Sequence, residues 1–141
     1  MILFLDFDGV VHPFCAHEAG VPEFAYLPRI EAVLAEFAET GVVVCSDWRY
    51  VEPWEKILSF FSAGFRSRVL GATPALPNPH YRGGFRYSEA LAYLERNRLD
   101  PERWVALDDI ASNWPLGDPR VIVCDDGFGD REEALLRAAL R

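Results

Sequence analysis

Acidic residues follow directly after four short apolar runs of this chain. The positions are Asp6 and Asp8, Asp47, Asp108 and Asp109, and Asp125 and Asp126. The carboxyl ends of parallel strands face one crevice, where ligands of open α/β sheets bind. Clustered carboxylates repel one another, and a hard divalent cation such as Mg²⁺ relieves that repulsion by taking oxygen ligands. The sequence therefore predicts a Mg²⁺ site at one sheet edge, although turn chemistry alone is the better interpretation of residues 125–127.

The elements that must position these acids are short strands alternating with longer helical patterns. The predicted strands are residues 2–7, 42–45, 68–70, 104–107 and 121–124, and the predicted helices are residues 28–39, 53–61, 87–98 and 132–140. Such alternation is typical of an α/β fold, with a mainly parallel sheet covered by helices on both faces. The connections 12–27 and 72–85 are predicted to be long loops, and long loops in compact domains are commonly functional.

Bulk properties limit the classes of protein to which the chain can belong. Its 141 residues, half of them hydrophobic, predict a single domain over residues 1–141 with a proper core. The net charge of −8 argues against a general nucleic-acid binder. Three cysteines without regular spacing are not a disulfide framework. The first apolar run reaches Asp6 too soon for a signal peptide, and no run is long enough for a membrane span, so we expect a cytoplasmic protein without membrane partners.

Three segments resemble motifs of the haloacid dehalogenase (HAD) superfamily, in which phosphatases predominate. Residues 6–11 (DFDGVV) resemble its first motif, residues 42–46 (VVVCS) its second and residues 105–109 (VALDD) its fourth, in the same order and at similar spacing. Residues 46–49 (SDWR) also resemble a subgroup of small HAD-type domains, some of them found in nucleic-acid repair enzymes. The resemblance implies a three-layer α/β/α Rossmann-like fold with a five-stranded sheet in the order 5-4-1-2-3.

The same resemblance implies a role for each matching residue. Asp6 would be the nucleophile that forms an aspartyl-phosphate, and Asp8 would be the general acid and base. The cofactor would be Mg²⁺, bound by the carboxylates of Asp6 and Asp108 and by the backbone carbonyl of Asp8. Asp109 would be either a further ligand or a residue that contacts a ligand. Ser46 would donate a hydrogen bond to a phosphoryl oxygen.

The chain departs from the superfamily at the third motif, which usually supplies a lysine. The only lysine, Lys56, comes too early in the sequence. Arg82 and Arg86 are the candidates for its role, and Arg86 is preferred because it opens a helical pattern; the alternative is a solvated arginine at a helix start. Asp47, Arg49, Arg82 and Gly9 complete the expected substrate-binding set. For Arg49, ordinary exposure at the surface is an equally good interpretation.

Three further side chains near these motifs have alternative interpretations. Trp48 and Trp114 could stack on a base or a sugar, although packing is the more common use of such aromatics. His12 is expected to line the mouth of the pocket, because its spacing from Cys15 and His17 matches no standard zinc site.

Neither long loop is large enough for the cap domain that many HAD phosphatases carry. Capless relatives often act on large substrates or close their sites by forming oligomers. We therefore expect a phosphorylated substrate, whether a small molecule, a nucleic-acid end or a phosphoprotein, and a possible homo-oligomer. The function predicted is Mg²⁺-dependent phosphomonoester hydrolysis in an open site, and the alternative is a non-catalytic phosphate-binding or interaction module. A receiver-like domain is set aside, because the third strand ends without an acid.

Overall fold

Five parallel strands form one sheet with β1 at its centre, in a computed structural model that describes residues 1–77 and 83–141. The strands are β1 Ile2–Leu5, β2 Gly41–Val44, β3 Val69–Ala72, β4 Trp104–Asp108 and β5 Val121–Val123. They lie in the order β3-β2-β1-β4-β5, and every neighbouring pair is parallel. The predicted α/β class and the strand order implied by the HAD resemblance are confirmed.

The register of the sheet places the acids side by side. Leu5 of β1 pairs with Val44 of β2 and with Leu107 of β4. Asp6 follows Leu5 and donates its backbone N–H to the carbonyl of Leu107 at 3.0 Å. The next residue of β4 is Asp108, so the register brings Asp6 next to Asp108 at the carboxyl edge.

Helices cover both faces of the sheet. They are α1 Ala16–Ala19, α2 Leu27–Ala35, α3 Trp48–Val51, α4 Trp54–Phe60, α5 Phe85–Arg96 and α6 Asp130–Leu140. One core cluster packs Leu3, Leu5 and Leu107 against side chains of α2, α4 and α6. A second cluster packs Phe4 and Trp104 against α5. Alternate residues of β1 thus point to opposite faces, as the period of a strand requires.

The observed elements differ from the predicted ones mainly at their ends. β1 stops at Leu5 because Phe7 leaves the ladder, and its carbonyl accepts hydrogen bonds from the N–H groups of Val10 and Val11 in a tight turn. α5 begins at Phe85, two residues before the predicted start, which places Arg86 in its first turn. The short helices α1 and α3 lie in segments for which the sequence predicted no helix. Among the described residues, no helix has both the length and the apolar character needed to cross a membrane.

Candidate active site

Three carboxylates converge at the carboxyl edge of β1 and β4. Asp6, Asp108 and Asp109 offer oxygen atoms that all lie within 4.8 Å of one another. Burial and the neighbouring Asp108 raise the pKa of Asp6 to about 8, which shows how unfavourable its ionised form is without a cation. Burial and Asp108 also raise the pKa of Asp109. Such a set of oxygen donors fits a hard divalent cation.

Asp108 is fixed by donors from the segment that follows β4. Its carboxylate accepts hydrogen bonds from the backbone N–H of Ile110 at 2.9 Å and from the indole Nε1 of Trp114 at 2.7 Å. The Asn113 amide lies 3.3 Å from the same oxygen as Trp114. Trp114 is itself buried against Phe4 and Trp104. Trp114 therefore packs in the core and orients Asp108, in agreement with the packing interpretation of this residue.

Gly9 lies at the turn where the first motif passes Asp109. Its φ of +74° is a left-handed conformation, and a Cβ built on it would lie 2.4 Å from Oδ2 of Asp109. Glycine tolerates this conformation and adds no side chain to the crowded space. Gly9 thus allows the acid-bearing turn to approach Asp109, which is a positional role; no described contact tests its expected part in substrate binding.

The carboxylate of Asp8 lies outside the three-acid cluster and is held by two other side chains. His12 Nε2 lies 2.8 Å from Oδ1 of Asp8, and Trp48 Nε1 donates to Oδ2 at 3.1 Å. The Asp8 side chain is 40% exposed, whereas that of His12 is only 2% exposed. His12 therefore lies beneath Asp8 in the wall of the site and contacts it directly.

Ser46 lies two residues after the end of β2 and two residues before the start of α3. It is buried, and its Oγ accepts a 3.3 Å hydrogen bond from the backbone N–H of Trp48. A hydroxyl that accepts in this way can still donate its own hydrogen to another group. Trp48 follows in α3 and packs against Phe7, Phe24 and Phe60, as the packing interpretation expected.

Arg49 is turned inward and is used by the protein itself. Its guanidinium donates to the carbonyls of Thr73, Cys45 and Ser46 at 2.8–3.0 Å. It also donates to Tyr50 and to Glu89, and its side chain is 4% exposed. Every guanidinium nitrogen of Arg49 therefore has a protein acceptor. This geometry gives no support to the expectation that Arg49 binds substrate phosphate and indicates that it braces the Ser46 segment.

Arg86 extends from the first turn of α5 toward the same edge. It donates to Asp47 at 3.0 Å and lies 3.4 Å from Glu89. Burial opposes its positive charge, but the neighbouring Cys45, Asp6 and Asp47 outweigh burial and raise its pKa. Its Nε is buried and has no hydrogen-bond partner among the described residues. A buried donor without an acceptor is costly, so Arg86 has capacity for a further anionic ligand.

Glu89 is the participant that the sequence analysis missed. It is fully buried and accepts hydrogen bonds from Arg49 at 2.8 Å and from Tyr50 at 3.2 Å, besides its contact with Arg86. A signal existed, since Arg86, Glu89 and Ala90 lie on the buried face of α5 and a charged residue on such a face needs a partner. Asp47, which is mostly exposed, contacts both arginines from the outside.

The remaining predicted residues lie around this centre or outside the described part of the chain. Arg82 falls in residues 78–82, outside the described residues, so Arg86 is the arginine that the structure places at the edge. Asp125 lines an open cleft of about 590 Å³ together with Asp109 and Arg131. Asp126 has a φ of +80° and accepts the backbone N–H of Phe14 at 2.6 Å, in keeping with a turn role.

Comparison with known proteins agrees with this arrangement. A family described as the HAD domain in Swiss Army Knife RNA repair proteins matches residues 2–133. No curated protein and no solved structure matches the chain significantly. The matched region includes all five strands and each of the acids discussed above. The chain therefore belongs to the family of HAD domains that occur in Swiss Army Knife RNA repair proteins, within the HAD-type hydrolases.

Proposed function

We propose that this chain is a Mg²⁺-dependent phosphomonoesterase that works through an aspartyl-phosphate on Asp6. The observation that carries the proposal is the meeting of three carboxylates with a buried arginine that has an unused donor. Carboxylate oxygens suit a magnesium ion, and a guanidinium suits a phosphoryl group. A site with both is suited to phosphoryl transfer, in which positioning and charge stabilisation supply most of the catalysis.

The metal would be held by the carboxylates of Asp6, Asp108 and Asp109. When bound, Mg²⁺ supplies positive charge that offsets the repulsion between a carboxylate nucleophile and a phosphate dianion. The donors on Asp108 keep it oriented as a ligand, because the Trp114 indole and the Ile110 N–H fix both of its oxygens.

The first chemical step transfers the phosphoryl group to Asp6. A carboxylate oxygen of Asp6 attacks the phosphorus, a new P–O bond forms, and the bond to the leaving oxygen breaks. Asp8 gives its proton to that leaving oxygen, so an alcohol departs. The Arg86 guanidinium and the Ser46 hydroxyl stabilise the negative charge on the phosphoryl oxygens.

The second step releases the phosphate. Asp8, now a carboxylate, takes a proton from water as the water oxygen attacks the phosphorus of the aspartyl-phosphate. The bond between phosphorus and Asp6 breaks, inorganic phosphate leaves, and both aspartates return to their starting states. The partial exposure of Asp8 gives water access to it.

For the substrate class, we propose the phosphorylated end of an RNA strand. The matched family is described as occurring in RNA repair proteins, and repair creates a need to remove phosphate from strand ends. A site open to a large substrate is further supported by the connection from β1 to β2, which holds only the helices α1 and α2. A panel of RNA 3′-phosphates, RNA 5′-phosphates, phosphoproteins and sugar phosphates tests this choice directly.

The decisive experiment is an assay of an aryl phosphate with and without Mg²⁺, beside Asp6→Asn. We expect turnover that depends on Mg²⁺ and is lost in the variant. Mass spectrometry of the acid-quenched wild-type protein should find phosphate on the peptide that contains Asp6. Turnover that persists in Asp6→Asn, or that ignores Mg²⁺, would rule out the proposed mechanism.

A second candidate function is phosphate binding without catalysis. The observation in its favour is that Arg86, which stands in for the usual lysine, is tied to Asp47 and Glu89 in this structure. A binding module would take up inorganic phosphate or a phosphorylated end with Mg²⁺ present and yet show no turnover on any substrate of the panel. Calorimetry with inorganic phosphate, run beside the assay, separates the two functions.

A further inference from the structure

Each oxygen of the Asp8 carboxylate has its own protein donor. Oδ1 lies 2.8 Å from His12 Nε2, and Oδ2 lies 3.1 Å from Trp48 Nε1. One hydrogen bond would leave a carboxylate free to turn about the bond to its Cβ, whereas two donors on different oxygens fix its plane. Asp8 is 40% exposed, so packing alone does not hold this side chain in place.

The protonation of His12 follows from its second contact. The backbone N–H of Phe24 donates to His12 Nδ1 at 3.0 Å. Because Nδ1 accepts this bond, it carries no hydrogen, and the ring hydrogen of a neutral histidine then resides on Nε2. His12 Nε2 therefore donates to Asp8. Phe24 belongs to the connection after β1, so that connection sets the tautomer.

Trp48 is held just as firmly. Its ring contacts Phe7, Phe24 and Phe60, with centroid separations of 5.1–6.1 Å. An indole N–H can only donate, so the group that faces Asp8 is a donor whatever the protonation state of its neighbours. Its ring also lies 5.9 Å from that of His12, so the two donors belong to one packed wall beside Asp8.

We propose that His12 and Trp48 are positioning residues that hold the Asp8 carboxyl in the orientation from which it gives its proton to the leaving oxygen. This inference rests on the proposed phosphatase function. Correct orientation of a reacting group removes a large entropic part of the barrier, and an error of about 1 Å can cost about 100-fold in rate. Neither residue is expected to touch the substrate.

The test uses substitutions that separate the two contacts of His12. The amide of asparagine reaches only the position of Nδ1, so His12→Asn keeps an acceptor for Phe24 and loses the donor to Asp8. His12→Gln reaches the position of Nε2, so it keeps a donor to Asp8 and loses the acceptor. Trp48→Phe keeps an aromatic ring and loses the N–H. Asp8→Asn sets the limit for complete loss of the acid.

The readout is kcat/KM on two phosphate esters with different leaving groups. This ratio reports events up to departure of the leaving group, so the second step does not enter it. An alkyl phosphate needs the proton from Asp8, whereas an activated aryl phosphate with an acidic phenol leaves without much help. We expect Trp48→Phe and His12→Asn to lower the alkyl value by about 10- to 100-fold and the aryl value by less than about 3-fold. His12→Gln should stay within about 3-fold of wild type on both.

Three results would overturn the inference while the phosphatase proposal stands. The first is an equal loss on both esters, which would indicate a general structural role. The second is a greater loss in His12→Gln than in His12→Asn, which would assign the role of His12 to the Phe24 contact. The third is unchanged or raised alkyl activity, which would mean that the two donors hold Asp8 in a resting orientation.

Absence of turnover in the wild-type protein would instead overturn the proposed function itself. If Trp48→Phe does not fold, the pair at His12 decides alone.

Discussion

Gly9 couples the turn after β1 to the position of Asp109. Two separate reasons favour glycine here. Its φ is left-handed, and a Cβ at this position would lie 2.4 Å from Asp109 Oδ2. The first reason concerns only the backbone, and the second concerns the acid cluster. A second glycine, Gly20, has a φ of +68°, and no atom lies within 4 Å of where its Cβ would be. Only the backbone conformation therefore favours glycine at position 20.

We expect Gly9→Ala to lower the free energy of unfolding by about 2–3 kcal/mol and to weaken Mg²⁺ activation, because Asp109 must move. Gly20→Ala should cost only about 1 kcal/mol and leave activation by Mg²⁺ unchanged. Urea unfolding and a Mg²⁺ titration of activity measure the two effects. Equal Mg²⁺ responses in the two variants would show that the contact with Asp109 does not matter for the cation.

The carboxyl of Asp6 should make the metal-free protein less stable as the pH rises. Its pKa is about 8 in the folded protein and 3.8 in an unperturbed chain. Below pH 4 both states hold the proton; between pH 4 and 8 the unfolded chain releases it and the folded protein retains it, so the free energy of unfolding falls. Asp6→Asn has no such proton to lose.

In the presence of a chelator, the stability of wild type relative to Asp6→Asn should fall by about 1–3 kcal/mol between pH 5 and pH 7. Urea unfolding at the two pH values measures the difference, and excess Mg²⁺ should reduce it. A constant difference between the two proteins across this range would contradict the burial of an uncompensated carboxyl at position 6.

At the level of elements, α5 carries the charges that complete the site. The residue just before it, Gly84, approaches the segment after β4 closely, since a Cβ built on Gly84 would lie 2.3 Å from the backbone of Asn113. This contact sets the start of α5 against the strand that bears Asp108. Glu89, one turn further along, then joins Arg86 of α5 to Arg49 of α3.

Replacing Glu89 with glutamine should destabilise the protein by about 3 kcal/mol, because two buried guanidinium groups lose the carboxylate between them. The matched control is Asp47→Asn, which removes an exposed carboxylate from the same arginines and should cost less than about 1 kcal/mol. Urea unfolding measures both values. A loss at position 47 as large as that at position 89 would show that the exposed pair carries the stability.

The sequence pattern could predict the strands and the gathering of acids at one sheet edge, and the HAD resemblance implied the strand order that brings Asp6 next to Asp108. Apolar runs that end in acids are local signals, and a parallel register then places the ends of β1 and β4 together. The sequence could not predict that Arg49 shares Glu89 with Arg86, because Glu89 meets Arg49 only after α3 and α5 pack together. The inward turn of Arg49 was equally hidden, since its acceptors are carbonyls at the ends of β2 and after β3.

At the level of the whole molecule, the charge of −8 opposes the approach of a polyanion. Within residues 1–77 and 83–141, the arginines nearest the site do not offset this at long range, because Arg49 and Arg86 are buried and paired with acids. On the outer surface, Arg29 of α2 donates to Glu133 of α6, and Arg137 of α6 donates to Glu133 and to Glu36, which follows α2. These cations are therefore also neutralised.

For a phosphorylated oligonucleotide we therefore expect kcat/KM to rise several-fold when the ionic strength goes from about 0.01 M to about 0.15 M, as the Debye length shrinks from about 30 Å to about 8 Å. A small aryl phosphate, assayed at the same saturating Mg²⁺, should change much less. A steep fall with salt would instead indicate a basic surface that receives the strand.

The sharing of Glu89 between two arginines also has a consequence for how this chain can change over evolutionary time. A lysine at position 86 is what the HAD resemblance leads us to expect there, but it would present one compact ammonium group where Glu89 and Asp47 now contact a planar guanidinium. Positions 49, 86 and 89 are therefore expected to be exchanged together, so that reversion at one of them alone is unfavourable.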